Sequence, residues 1–482
     1  MFLELDGRGS RQAQLTRALK NAVLSGRLAS GARLPATRVV AGELGLSRNT
    51  VLASYEELAA EGFLHGKVGS GSYVAPLNGH VAVDAIAAQV PVPAPAAARM
   101  SQYAHRAVAS CRRPIAGAQF HDLPFNLQYG LPLTNPALTT AWRRELAHAA
   151  AYTSPNYPEA AGRLDLRTAV CDYLARRRGL QADPEDVLIV SGTQEAVALS
   201  ARVLLDAGDR VVIEDPHYVA LWRAFVAHGA MVETVPVDDE GLVCDRLPAT
   251  PPRLVCVTPS HQFPLGSVMS LPRRLALLRY AQTHETWILE DDYDGEFRYG
   301  GAPIAALRSL DAHDRTLYVG TFSKTLFPAL RMGYLVVPRA LREAFRIAKQ
   351  LSTFGSPAIE QAALARFIES RGFERHLRRA AHTLRARRAA LMAGLREHAQ
   401  DRVEVRDSQA GMHLVAWLRG FDDARLAALI EAARQRGVGL HAIGPCYLEP
   451  PGRVGLLLGY GGVSPKEITL AMARLGEALR SV

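Results

Sequence analysis

The sequence predicts an α/β protein of two unequal parts: a short N-terminal block of three helices and a β-hairpin, and a large doubly wound α/β domain that ends in a smaller α+β domain. Three observations predict it. Apolar residues recur at helical spacing through the first 60 positions, which close on a glycine-rich pair of short strands. A proline–alanine stretch then interrupts all periodicity. Beyond residue 185, short β-rich runs alternate with helical stretches, the pattern of a sheet covered by helices. At 482 residues the chain has room for two or three domains. The expected boundaries are 1–75 for the block, 76–118 for a linker and 119–482 for the body, with its larger part at about 119–370 and its smaller part at about 371–482.

In the block, a first helix carries Leu15, Leu19 and Val23 at i, i+4 and i+8, a stripe that must be buried. Pro35, tolerated in a first helical turn, opens a second helix over 36–44. Gly45 makes the turn, and Ser47 caps a third helix that points Val51, Tyr55 and Leu58 inward and closes at Gly62. The string FLHGKVGSGSYVA then reads as two short strands around a glycine-rich tip. Together these elements make a winged helix-turn-helix. Its third helix presents Arg48, Asn49 and Thr50 near the N-terminus, where side chains enter a major groove and a phosphate is attracted.

Residues 76–100 contain four prolines, eight alanines and two charges, and Pro91, Pro93 and Pro95 in alternation favour extended chain. The formal net charge is +9; residues 1–75 carry nine Lys/Arg against six Asp/Glu, and residues 76–120 four against one. Two thirds of the excess therefore lies in the first quarter of the chain, a bias toward phosphate contact. A second basic run, 371–388, holds seven arginines and one acid, Glu374. It reads as the solvated face of a helix whose other face carries Leu377, Leu384, Leu391 and Leu395, with a supplementary DNA contact as the alternative. No run approaches the ~18–20 apolar residues of a membrane span, and the N-terminus lacks the pattern of a signal peptide. Five cysteines (Cys111, Cys171, Cys244, Cys256, Cys446) without a C-x-x-C pair read as reduced core thiols, with neither disulfide nor metal site, in a cytoplasm.

In the body, 187–190, 210–214, 253–257, 287–290 and 317–320 read as buried strands, with helices over 195–205, 218–228 and 271–284 between them. Ligands of such a sheet lie at the carboxyl ends of its strands. Four strings there carry chemistry. Ser191-Gly192-Thr193-Gln194 places a glycine and hydroxyls at a helix N-terminus, an anion cup. Asp215-Pro216-His217-Tyr218 offers an aromatic face for stacking on a planar ring. In WILEDDYD, Asp291 can keep a pyridine nitrogen protonated, with Tyr293 on the same side; alone, this string also fits a metal site or a polar strand end. Gly320-Thr321-Phe322-Ser323-Lys324 brings an amine and two hydroxyls, and Arg331 a cation seven residues on. A lysine desolvated beside positive charge becomes a competent amine nucleophile. Acid, amine, anion cup and stacking aromatic together specify pyridoxal phosphate.

The string LPATRVVAGELGLSRNTVLASYEELAAEGFLHGKVGSGSYVA resembles the DNA-binding head of the GntR family. That resemblance implies DNA contacts from Arg38, Ser47, Arg48, Asn49 and Thr50, and from the wing tip at Lys67 and Gly69. From about Tyr157 onward the order of motifs resembles the fold-type-I aminotransferases, with 162–167 fitting their GxxxLR segment. VTPSHQFPLG, EDDYDGEFRYG and YVGTFSKTLFPALRMGYLV look closer still to one branch, the MocR/GabR regulators, which fuse a GntR head to an aminotransferase-like body. The resemblance implies that Lys324 forms a Schiff base with pyridoxal 5'-phosphate, Asp291 pairs the pyridine nitrogen, Tyr293 bonds the ring hydroxyl and Tyr218 stacks. Gly192, Thr193, Gln194, Thr321, Ser323 and Arg331 would hold the phosphate. It also implies a bacterial protein, a head-to-tail homodimer and paired operator half-sites in double-stranded DNA.

Two departures from the enzyme pattern stand out. The asparagine of an NPTG string is absent from Gln262-Phe263-Pro264-Leu265-Gly266, and no arginine lies within 454–460, where enzymes hold a substrate carboxylate. His441 and Arg453 are the candidates for an effector carboxylate. The expected function is a transcriptional regulator that senses an amino compound or the cofactor itself, its chemistry halted or slow. An active class I/II aminotransferase with an autoregulatory DNA-binding appendage is the alternative, and a body that has lost its cofactor is the third reading.

Overall fold

The computed structural model describes residues 3–67, 71–76, 99–111, 120, 122–133, 136–300, 304–399, 401–406 and 408–482, and the chain divides into two compact units, Met1–Arg99 and Met100–Val482. The first unit contains α1 (Arg11–Leu24), α2 (Thr37–Leu44), α3 (Arg48–Ala60) and an antiparallel hairpin of β1 (Leu64–Lys67) and β2 (Gly71–Val74). Leu15, Leu19, Val40, Val51, Leu58 and Val74 are fully buried at its centre, as the helical spacing requires. The second helix starts at Thr37, one residue after the expected Ala36. Pro35 stays outside it, where its carbonyl accepts a 3.0 Å hydrogen bond from the Tyr55 hydroxyl and ties α2 to α3. Gly45, at φ +64°, makes the left-handed turn between them.

The second unit opens with α4 (Gln102–Ser110), which lies inside the stretch expected as linker. It packs on a later helix, and Arg106 Nε donates to the carbonyl of Ala227 at 3.1 Å. After β3 (Phe125–Asn126), α5 (Pro136–Tyr152) and α6 (Leu164–Arg178), the main sheet begins. Its strands are β4 (Val187–Val190), β5 (Arg210–Asp215), β6 (Met231–Asp238), β7 (Gly241–Leu242), β8 (Leu254–Val257), β9 (Trp287–Asp292), β10 (Thr316–Thr321) and β11 (Gly333–Val336). They lie in the order β4-β11-β10-β9-β8-β5-β6-β7, with β11 antiparallel to both neighbours. The helices α7 (Thr193–Leu204), α8 (Val219–His228) and α9 (Leu271–Thr283) connect them.

Successive strand residues face opposite sides. Val211, Ile213, Leu254, Cys256 and Leu289 pack with α7 and α8, while Val212, Val255, Val257 and Ile288 meet Leu277 and Ala281 of α9. Both faces are covered, so VLIV and LVCV are buried at every position.

Three helices, α10 (Arg342–Thr353), α11 (Ala358–Glu369) and the long α12 (Gly372–Ala399), lead to the smaller part. There β12 (Val403–Arg406), β13 (His413–Leu418), β15 (His441–Ala442) and β16 (Gly455–Gly459) form an antiparallel sheet backed by α13 (Asp423–Gln435) and α14 (Pro465–Ser481). The short β14 (Val438–Gly439) pairs with β3. Leu377, Leu384, Leu391 and Leu395 of α12 are buried, as their spacing foretold. All five cysteines are free, but Cys111 is exposed and Cys244 half-buried, so only Cys171, Cys256 and Cys446 are core thiols. Among the described residues no helix is long and apolar enough to cross a membrane, and no His/Cys/Asp/Glu cluster could hold a metal.

Candidate functional site

The carboxyl ends of β4, β5, β8, β9 and β10 open onto one cavity of about 300 Å³. It gathers Thr193, Gln194, Tyr218, Asp291, Tyr293, Thr321, Ser323, Lys324 and Arg331 from four separate strings. Gly192 stands just behind Arg331. Its φ is +81°, and a Cβ there would meet Arg331 Nη2 at 3.3 Å, so the turn needs glycine.

The run of acids at the end of β9 is sorted by the strand's alternation. Glu290 accepts the backbone N–H groups of Leu307 and Arg308, each at 2.8 Å. Asp292, on the same face, pairs with buried Arg178 and accepts the Tyr318 hydroxyl at 2.5 Å. Asp291 faces the cavity alone. Its Oδ1 is buried without a hydrogen-bond partner among the described residues, an expensive state for a carboxylate. Burial, with Asp292 and Asp294 adding like charge, pushes Asp291 up to about 7.

Lys324 donates from Nζ to the carbonyl of Gly130 at 2.8 Å. Burial lowers its ammonium below the usual value, against the pull of Asp294 and Asp291, and so enlarges the neutral, nucleophilic fraction. The anion cup is braced from behind. Arg331 Nη2 donates to the carbonyl of Ser191 at 2.6 Å, and the Ser191 N–H donates to Glu195 Oε2 at 2.5 Å. Glu195 is in turn held at 2.7 Å by the fully buried Lys349. The free N–H groups at the start of α7 thus meet the cavity beside a fixed guanidinium, which suits a phosphate.

A buried histidine completes the site. His261 Nδ1 lies 3.0 Å from both carboxylate oxygens of Asp294 and 3.0 Å from the Tyr293 hydroxyl, while Nε2 lies 2.9 Å from Ser408 Oγ. A carboxylate only accepts, so Nδ1 carries a proton, and the Tyr293 oxygen can share it. The phenolic proton is then free to point into the cavity. Burial holds Tyr293 well above its usual pKa, so it remains a donor. His261 and Asp294 stand inside the strings VTPSHQFPLG and EDDYDGEFRYG, which assign them no role, and Tyr129, Gly130 and His413, which line the cavity, lie in none of the four strings. Only their sequence distance from the other motifs hid them.

His441 and Arg453 are not brought to the cavity. His441 bonds Asn126 Oδ1 at 3.0 Å behind Tyr129, and burial depresses it to about 4, which leaves it neutral. Arg453 stacks on the buried Trp417 ring at 4.0 Å and pairs with Glu404, itself half exposed, and does not line the cavity.

In the first unit, Ser47 Oγ accepts the Thr50 N–H at 3.1 Å and contacts Thr50 Oγ1 at 2.7 Å. Both side chains are thus engaged in capping α3. Arg48 and Asn49 project from its first turn, exposed, and Arg38 is exposed on α2. Gly69 and the side chain of Lys67 lie outside the described residues.

Comparison with known proteins resolves the two units. Residues 11–74 match the bacterial regulatory proteins of the gntR family, and residues 125–474 match aminotransferase class I and II. The probable rhizopine catabolism regulatory protein MocR of Rhizobium meliloti is 35% identical over 97% of this chain and 93% of its own length. The chain belongs to the MocR-type regulators. The HTH-type pyridoxine biosynthesis transcriptional regulator PdxR of Corynebacterium glutamicum is 30% identical over 97% of this chain and 95% of its own. Among solved structures, the α-aminoadipate aminotransferase LysN of Thermus thermophilus, complexed with N-(5'-phosphopyridoxyl)-L-leucine, superposes with a TM-score of 0.68 at 27% identity. The match covers 79% of this chain and 97% of that one. This MocR-type chain is a DNA-binding transcriptional regulator with an aminotransferase-like body.

In place of the enzyme asparagine, this MocR-type body puts Phe263 on the cavity wall, its ring 5.9 Å from that of Tyr293 and 5.7 Å from that of Tyr129. Gln262 turns away, donating to the carbonyls of Pro216 and Phe263. The groups present fit pyridoxal phosphate. The orphaned Asp291 oxygen awaits a cationic donor, the amine of Lys324 shares the cavity, and the braced cup awaits an anion.

Proposed function

We propose that this regulator binds pyridoxal 5'-phosphate on Lys324 and reads a small amino compound, or the cofactor itself, as a signal that changes its grip on operator DNA. The observation that carries the reading is the pairing of buried Lys324 with the unpartnered Asp291 carboxyl across one cavity, in a chain headed by a GntR unit. When bound, the cofactor supplies an aldehyde carbon and an electron-withdrawing ring. The chain's part is to hold and polarise it. Asp291 would pair the ring nitrogen, Tyr293 would donate to the ring hydroxyl, and Tyr218 would cover the ring. Gly192, Thr193, Gln194, Thr321, Ser323 and Arg331 take the phosphate.

Among the described residues the cavity's cations are Lys324 and Arg331, both committed to the cofactor in this reading. The rest of an amino effector then meets neutral groups, Gln128, Tyr129 and His413, the last depressed to about 4 by burial. Amines without a carboxylate suit such a wall. On the DNA side, Arg48 and Asn49 read bases while Arg38, Lys67 and the wing tip at Gly69 contact the backbone. The body assembles as a head-to-tail homodimer in the bacterial cytoplasm, and the joint to the heads lies before α4.

The complete pocket also favours a second reading, an active aminotransferase with an autoregulatory head. One experiment separates them: the cofactor-loaded protein is mixed with a panel of amines and amino acids. The sensor shows a spectral change without sustained keto-acid release, and the enzyme shows both. A protein that takes up no cofactor, or whose Lys324→Ala variant keeps the same borohydride-fixed adduct, would remove both readings.

A further inference from the structure

Away from the cofactor cavity, one face of α12 lines an open groove of about 680 Å³. Its walls are Arg375, Arg378, Arg379 and His382, and its floor is Leu133 and Arg387; among the described residues no acid lines it. Arg375, Arg378 and Arg379 stand at i, i+3 and i+4 with His382 at i+7, so three guanidiniums share one stripe and repel one another, and Arg387 follows two turns beyond Arg379. Other arginines of this helix spend their donors elsewhere: Arg385 on the carbonyl of Tyr299, Arg388 on that of Ser408. Arg378 and Arg379 are exposed, and among the described residues their side chains make no hydrogen bond or ion pair. Arg387 is only 8% exposed, donates Nη1 to the carbonyl of Gly461, and leaves a buried Nε without a partner. A solvated helix face explains exposed arginines. It does not explain a buried guanidinium with an unused donor at the bottom of a groove walled by cations.

We propose that this groove is a second ligand site, for the phosphoryl group of a small phosphorylated compound, separate from the cofactor cup. Guanidinium forks match phosphate oxygens in pairs, and the volume falls in the usual range for small-molecule pockets. The depth of Arg387 decides between sources of phosphate. A small anion can descend to it, whereas the backbone of a duplex, about 20 Å across, stays with the rim. The site is placed to reach the cofactor cavity. Arg387 bonds the Gly461 carbonyl, and the Tyr460 N–H donates to the carbonyl of Met412 at 3.0 Å; Met412 lines that cavity.

The test uses full-length, cofactor-loaded protein, so that the cup is filled, and titrates inorganic phosphate and glycerol 3-phosphate by calorimetry at low salt. Saturable binding of one anion per chain is expected, weakened at least tenfold in R378Q/R379Q, whose exposed side chains the fold does not need. In parallel, the salt dependence of DNA binding is measured for both proteins. No saturable heat, or equal heats in R378Q/R379Q, overturns the site. Silent calorimetry with a DNA salt slope reduced by about 1.8 in the double variant would instead make the groove a contact for DNA backbone, and the proposal fails.

Discussion

At Asp291, burial and a missing partner turn a common carboxylate into a group held near 7 against an ordinary 3.8. In cofactor-free protein the folded chain keeps a proton that the unfolded chain releases above about pH 4, so this residue costs stability as pH rises from about 4 to 7. Asp291→Asn removes that cost. In urea unfolding the variant should gain on the wild type by up to a few kcal/mol across that window and show no relative change below it. A constant difference from pH 4 to 8 would show the carboxylate to be solvated. The same variant should bind pyridoxal phosphate at least tenfold more weakly, because it can no longer face a ring nitrogen with charge. Asp291 and Lys324 were legible in the sequence because each stands at or just beyond the carboxyl end of a strand recognisable by its apolar run. His261 and Asp294 were not, since their partnership spans 33 residues and exists only once β8 and β9 lie side by side. His441 and Arg453 misled for the same reason: the string GVGLHAIG does not show that Tyr129 stands between the histidine and the cavity.

Elements set these residues in place, and two of them can be probed alone. In the head, Ser47 spends its side chain on the cap of α3, so Ser47→Ala should cost about 1 kcal/mol of thermal stability in that unit. Asn49→Ala instead should leave melting unchanged and weaken operator binding by about 1–3 kcal/mol, with relaxed discrimination at the base it reads. Equal losses from both variants on specific and random DNA would argue against base reading. In the body, the turn before α7 is held by the Glu195–Lys349 pair, with Lys349 fully buried. Lys349→Met takes the cation from the Glu195 carboxylate, which is 12% exposed and keeps the Ser191 N–H; it should cost up to about 3 kcal/mol and weaken cofactor binding through the slackened Ser191 turn. The helices of the head and the leucine face of α12 were readable from their periods. By contrast, β6 was not expected, because it is half exposed and contains Pro236, and β11 was missed because no helical stretch separates it from β10, which it meets antiparallel, outside the strand–helix alternation. Helix α4 was hidden by the alanines and prolines just before it, which masked where extended chain ends.

In the whole molecule a GntR unit is joined to a body whose cavity gathers Lys324, Asp291 and Arg331, so the two must share an equilibrium if the body is a sensor. Such couplings usually amount to about 1–3 kcal/mol, a change of roughly 5–150-fold in operator affinity. The fold of both units could be read from the sequence, because each repeats a local pattern many times. Their coupling could not, since no local pattern encodes a difference between two states. The most direct test is fluorescence anisotropy of full-length protein on the duplex upstream of its own gene, with and without pyridoxal phosphate and a panel of amines, for wild type and Lys324→Ala. The account predicts that at least one amine shifts wild-type affinity about fivefold or more in the presence of cofactor, and that Lys324→Ala binds the same DNA but does not respond. An unchanged wild-type affinity under every condition, or an equal shift in Lys324→Ala, would contradict it.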